Sequence, residues 1–123
     1  MLRGIAIGVF VCALASVCAG LAHSHARLTR SVPAADATTS VSPPEVRLQF
    51  NEPMEARFSK ITVEAKGGKP IAADPVSADP ADKKILVLKL KDVLQPGSYQ
   101  VSWRVVSLDT HKISGGFTFQ VKR

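Results

Sequence analysis

Ser98-Tyr99-Gln100-Val101-Ser102-Trp103-Arg104-Val105-Val106 is the stretch that decides the fold. Side chains alternate across an extended chain, so Tyr99, Val101, Trp103 and Val105 fall on one face and Gln100, Ser102 and Arg104 on the other. A strict period of two in aromatic and β-branched residues reads as a strand with one buried face. Gln95-Pro96-Gly97 is the turn that launches it. Residues 116–122 form the last strand, burying Phe117, Phe119 and Val121 and turning Thr118 and Gln120 outward. Upstream, Glu45-Val46-Arg47-Leu48-Gln49-Phe50 and Lys60-Ile61-Thr62-Val63-Glu64 alternate in the same way, and residues 85–91 open on an apolar run before alternating. Residues 33–44 and 66–84, rich in Pro, Gly, Ser, Thr and Asp, read as turn-rich connections. No stretch longer than one turn carries a helical period. The chain is predicted to be all-β, a single antiparallel sandwich or small Greek-key barrel, with no internal repeat and no second domain.

The 123 residues are 46% hydrophobic with net charge +6 and two cysteines, but the apolar residues are unevenly spread. Arg3 precedes an uncharged run from Ile5 to Cys18. Such a run is short for a membrane span and has the layout of a secretory signal peptide. Two cuts fit the small residues that follow: Gly20-Leu21-Ala22 before His23, or Ala22-His23-Ser24 before His25. The domains are therefore residues 1–24, signal peptide, and residues 25–123, the exported domain, with the cut before His23 as the alternative. Cys12 and Cys18 leave with the signal, which excludes thiol catalysis and a disulfide in the exported domain. Basic residues are scattered singly along the strands and the aromatics fall on apolar faces. Neither a clustered basic stripe nor a stacking platform for nucleic acid is legible.

Chemistry concentrates in three histidines: His23, His25 and His111. Asp109 and His111 are two apart, so an extended backbone would turn both side chains to one face as half of a metal site. The competing reading is a turn capped by Asp109 with His111 merely exposed. A mature chain starting at His25 adds a free α-amine and an imidazole that can chelate one ion together. Amine, two imidazoles and a carboxylate form an N₃O set suited to tetragonal Cu(II), not to Ca²⁺ or Mg²⁺. A start at His23 would instead place His25 third, where amine, backbone amides and imidazole bind Cu(II) locally.

The exported segment resembles the CopC family of periplasmic copper-binding proteins. The likeness runs from His25-Ala26-Arg27-Leu28 and Ser31-Val32-Pro33-Ala34 through Leu48-Gln49-Phe50-Asn51-Glu52-Pro53 and Phe58-Ser59 to Pro96-Gly97-Ser98-Tyr99. It ends on Trp103-Arg104-Val105-Val106-Ser107-Leu108-Asp109-Thr110-His111 with Gly115 and Phe117. The resemblance implies a cupredoxin-like, Ig-like β-barrel that carries one Cu(II) in periplasmic copper homeostasis and resistance. It implies His25, Asp109 and His111 as ligands, Glu52 as a candidate near the ion, and an inner-membrane copper transporter of the CopD type as partner. A monomer is expected. Relatives that also hold Cu(I) carry a Met-rich loop with a histidine. Residues 66–84 contain neither, and Met54 is the one methionine after the signal, so no Cu(I) site is expected.

Two other classes stand beside the non-enzymatic carrier. A copper oxidoreductase could use an N-terminal histidine brace, although Asp109 would occupy a coordination position and no aromatic platform faces a substrate. A metal-free β-sandwich interaction module would use none of these ligands. Trp103 and Tyr99 read as core, Met54 as a packing or surface residue, and Arg104 as a brace for Asp109 or a solvated charge. Lys83, Lys84, Lys89 and Lys91 read as solvated turn and edge charges.

Overall fold

Two four-stranded sheets face one another in the computed structural model, which describes residues 26–123. The signal segment, His23 and His25 lie outside the described residues. In chain order the strands are β1 (Leu28–Val32), β2 (Thr38–Thr39), β3 (Glu45–Phe50), β4 (Lys60–Ala65), β5 (Ser77–Asp79), β6 (Asp82–Lys89), β7 (Gly97–Val106) and β8 (Lys112–Val121). A 3-10 turn covers Ala56–Phe58. One sheet runs β1-β3-β6-β5 and the other β2-β8-β7-β4. Only the β5–β6 and β7–β8 connections stay within a sheet; the others cross between the two layers. The all-β expectation holds, with one departure. β2 runs parallel to β8, while every other named pair is antiparallel.

The period of two puts the core where the alternation places it. Val46, Leu48 and Phe50 of β3 are buried against Tyr99, Val101, Trp103 and Val105 of β7 and Phe117, Phe119 and Val121 of β8. Aromatic packing fixes the centre: Trp103 meets Phe50 edge-on with centroids 6.4 Å apart, and Tyr99 stacks on Phe119 at 5.5 Å. The Tyr99 hydroxyl donates to the Gln95 carbonyl at 2.5 Å, tying the start of β7 to the turn before it.

Differences from the sequence reading fall where alternation is weak. β1, β2 and β5 were not legible as strands, and β2 and β5 lie inside stretches read as connections. They are short or at sheet margins, and their pairing comes from backbone groups instead of an apolar face. β8 starts at Lys112, four residues before the expected 116, and runs straight through two glycines. Gly115 faces Trp103 in register, and an added Cβ would stand 2.5 Å from Trp103 Cζ2. The missing side chain there makes room for the indole; it does not break the strand. β6 similarly begins at Asp82, inside the predicted connection. Met54 is buried in the core. Lys83, Lys84, Lys89 and Lys91 are all exposed. Arg104 is exposed and makes no ion pair among the described residues, so the solvated alternative holds over a brace for Asp109.

Candidate metal centre

Three segments meet at one end of the sandwich: the entry to β1, the exit of β3 and the β7–β8 turn. Arg27 and Asn51 hold the first two together. The Arg27 N–H donates to Asn51 Oδ1 at 2.7 Å, and the Asn51 N–H donates to the Arg27 carbonyl at 3.1 Å. Continuing the Leu28–Phe50 register past this pair puts residue 26 opposite Glu52. The exit of β3 is then locked to β7: Met54 bridges to Ser107, Leu108 N–H donates to the Pro53 carbonyl at 3.1 Å, and Glu55 N–H to the Val106 carbonyl at 2.7 Å.

Residues 107–111 form a tight turn, not the extended segment that the spacing suggested. Thr110 N–H donates to the Ser107 carbonyl at 2.9 Å, Ser107 N–H to the His111 carbonyl at 2.9 Å, and Thr110 takes a left-handed φ of 72°. The turn achieves the convergence that an extended backbone was expected to give, because it folds Asp109 and His111 back over one another. His111 Nδ1 stands 3.1 Å from Asp109 Oδ2, with both side chains more than half exposed.

Ser107 organises this turn from beneath. It is 2% exposed, the one fully buried polar residue among the described residues. Its hydroxyl donates to Asp109 Oδ1 and accepts the His111 N–H at 3.1 Å. The hydrogen bond from Ser107, with the His111 charge behind it, holds the Asp109 carboxyl below the usual carboxylate range. A carboxylate kept ionised beside an imidazole is ready to accept a cation without first losing a proton.

Glu52, Asp109 and His111 offer ligand atoms that all lie within 4.8 Å of one another. Ligands about 2 Å from a shared ion stand ~2.8 Å apart when adjacent and ~4 Å apart when opposite. The Asp109–His111 separation therefore already suits adjacent positions, and the widest span closes with a shift under about 1 Å. The structure thus brings together three of the residues named from sequence. His25 and His23, the other two, lie outside the described residues. The capped-turn reading of Asp109 and the ligand reading are compatible, since Ser107 engages Oδ1 and His111 faces Oδ2.

Two contributors escaped the sequence reading as organisers. Ser107 continues the inward parity 99, 101, 103, 105, so a polar residue at that position was a legible signal of a buried hydrogen-bonding hub. Asn51 acts through the backbone of Arg27, and no pattern in the sequence announces that.

Comparison with known proteins agrees with this architecture. The CopC domain pattern matches residues 28–122. Protein YobA of Escherichia coli (strain K12) is 39% identical over 99 residues, 80% of either chain. The crystal structure of CopC from Methylosinus trichosporium OB3b superposes with a TM-score of 0.74 at 30% identity, covering 80% of this chain and 94% of that one. The structure of PcoC, a methionine-rich copper resistance protein from Escherichia coli, superposes with a TM-score of 0.71 at 38% identity, covering 80% and 100%.

Proposed function

Because the chain belongs to the CopC family, we propose that it is an exported, periplasmic Cu(II) carrier or buffer with one copper site. The carrying observation is the convergence of Glu52, Asp109 and His111 at the end of the sandwich where Asn51 pins Arg27. Consecutive Cα atoms are about 3.8 Å apart, so a chain beginning at His25 starts two such steps from that pin. The amine and imidazole of His25, with Asp109 and His111, then supply the N₃O set; Glu52 is the adjacent carboxylate that completes or borders it. Nitrogen-rich ligation of this kind selects Cu(II) over hard cations.

The same reading assigns no Cu(I) site. PcoC is methionine-rich, whereas residues 66–84 here carry neither Met nor His, and the Met54 thioether is buried in the core. The protein would hold copper on a rigid rim and pass it to, or keep it from, a membrane transporter of the CopD type. Support for that partner comes from the family resemblance.

Intact mass of the exported protein fixes the first residue, and Cu(II) titration of that material tests the site. A start at His25 and one Cu(II) per chain, weakened at least about tenfold in His111→Ala, is the expected result. A start at His23 moves the site to the local amine-and-amide arrangement. Equal affinity in wild type and His111→Ala leaves the metal-free module standing. Hydrogen peroxide turnover by the copper-loaded protein under reductant would support the oxidoreductase instead.

A further inference from the structure

We propose that the outer face of β4, β7 and β8, beside the metal centre, is a docking surface for an acidic protein segment carrying an apolar side chain. The inference rests on the carrier reading only in giving the docked protein the role of copper donor or acceptor.

Phe58 is the one aromatic side chain left exposed among the described residues, at 64%. It borders a shallow hollow of about 290 Å³ with Lys60, Arg104, Lys112, Val106 and Ile113. Arg57 stacks its guanidinium over the ring, 5.3 Å from the centroid. Four exposed cations thus surround a hollow whose apolar lining comes from Phe58, Val106 and Ile113.

The arrangement has a cost that a merely solvated face would avoid. Lys60 and Arg104 are direct cross-strand partners, and like charges placed opposite one another destabilise a sheet. None of the four cations takes part in an ion pair among the described residues. On the other sheet the cation Arg47 is treated differently: Asp79 lies 2.5 Å and Glu45 3.4 Å from its guanidinium. Along β4 the first outward carboxylate is Glu64, four residues from Lys60 and opposite Gln100. Charge complementarity therefore calls for carboxylates from outside the chain.

Placement links the surface to copper. Lys112 directly follows His111, and Val106 directly precedes Ser107, so the hollow begins where the metal turn ends. A hollow lined by Phe58, Val106 and Ile113 among cations has room for a partner's side chain flanked by carboxylates, which a protein segment offers and a bilayer surface does not.

The test uses the mature protein and a fluorescent heptapeptide of Asp and Glu with one central Phe. Wild type is expected to bind it, with affinity falling at least tenfold in Lys60→Glu/Arg104→Glu and several-fold in Phe58→Ser. Arg30→Glu/Lys89→Glu carries the same change in net charge on the other sheet and is expected to shift affinity less than twofold. Lys60→Gln/Arg104→Gln relieves the repulsion, so it is expected to melt no lower than wild type while binding the peptide less well. No binding at millimolar peptide, equal weakening in both charge-reversal variants, or binding only to phosphatidylglycerol vesicles would overturn the proposal. Cu(II) titration separates the two claims: peptide binding without copper binding refutes the carrier reading and leaves the surface, and copper binding without peptide binding does the reverse.

Discussion

Replacing Ser107 with Ala probes the joint between fold and site. The hydroxyl is buried under the β7–β8 turn and serves two groups at once, accepting the His111 N–H at 3.1 Å and donating to Asp109. Alanine fits the space but strands the backbone N–H. Leaving such a donor without its acceptor costs about 1–2 kcal/mol. For a domain of this size each kcal/mol moves the midpoint by roughly 4–8 °C, so the metal-free protein is expected to melt about 5–15 °C lower. Asp109 also loses the donor that holds its carboxyl below the usual range, so proton competition for the site shifts to higher pH and Cu(II) binding weakens. Thermal unfolding followed by Trp103 fluorescence, with Cu(II) titrations at several pH values, reads both effects. An unchanged midpoint in the metal-free variant would refute the role given to Ser107.

Other expectations follow from particular contacts. Gly115→Ala forces a methyl to within 2.5 Å of the Trp103 ring and is expected to cost about 1–3 kcal/mol, read in denaturant midpoints and in near-UV circular dichroism of the indole. Tyr99→Phe leaves the Gln95 carbonyl without its donor and should cost about 1 kcal/mol, with the fold unchanged by far-UV circular dichroism. Acid sensitivity should be concentrated at low pH. The Arg47 guanidinium beside Asp79 holds that carboxyl below its ordinary value, so its contribution is present above the ordinary carboxylate range and is lost as pH falls through the lowered folded-state value. Asp79→Asn should therefore lose stability near neutral pH and converge with wild type as the medium turns strongly acid, and a gap that stays constant on acidification would contradict the assignment.

How much could be read from sequence varied with the physics of each element. β3 appeared at its observed bounds and β7 within one residue because each buries one face and exposes the other, which alternation records directly. β1, β2 and β5 are held by backbone hydrogen bonds at sheet margins, and composition does not record those. The last strand was read only from residue 116, yet it begins at Lys112, and Gly115 within it makes room for the Trp103 ring across the ladder. At the site, Asp109 and His111 were legible from their spacing, yet the backbone that joins them is a turn with a left-handed Thr110. Glu52 was reached through family resemblance, since its proximity depends on the β3 exit crossing under the β7–β8 turn. Ser107 was visible only to strict parity along β7.

On the proposed reading, one Cu(II) is held jointly by the mature N-terminus and the 107–111 turn. Electron paramagnetic resonance of the Cu(II)-loaded protein beginning at His25, compared with the same protein carrying one extra residue ahead of His25, tests it most directly. A nitrogen-rich tetragonal spectrum that changes on extension, with affinity falling at least about a hundredfold, is the predicted result. An identical spectrum and affinity in the extended protein would contradict it.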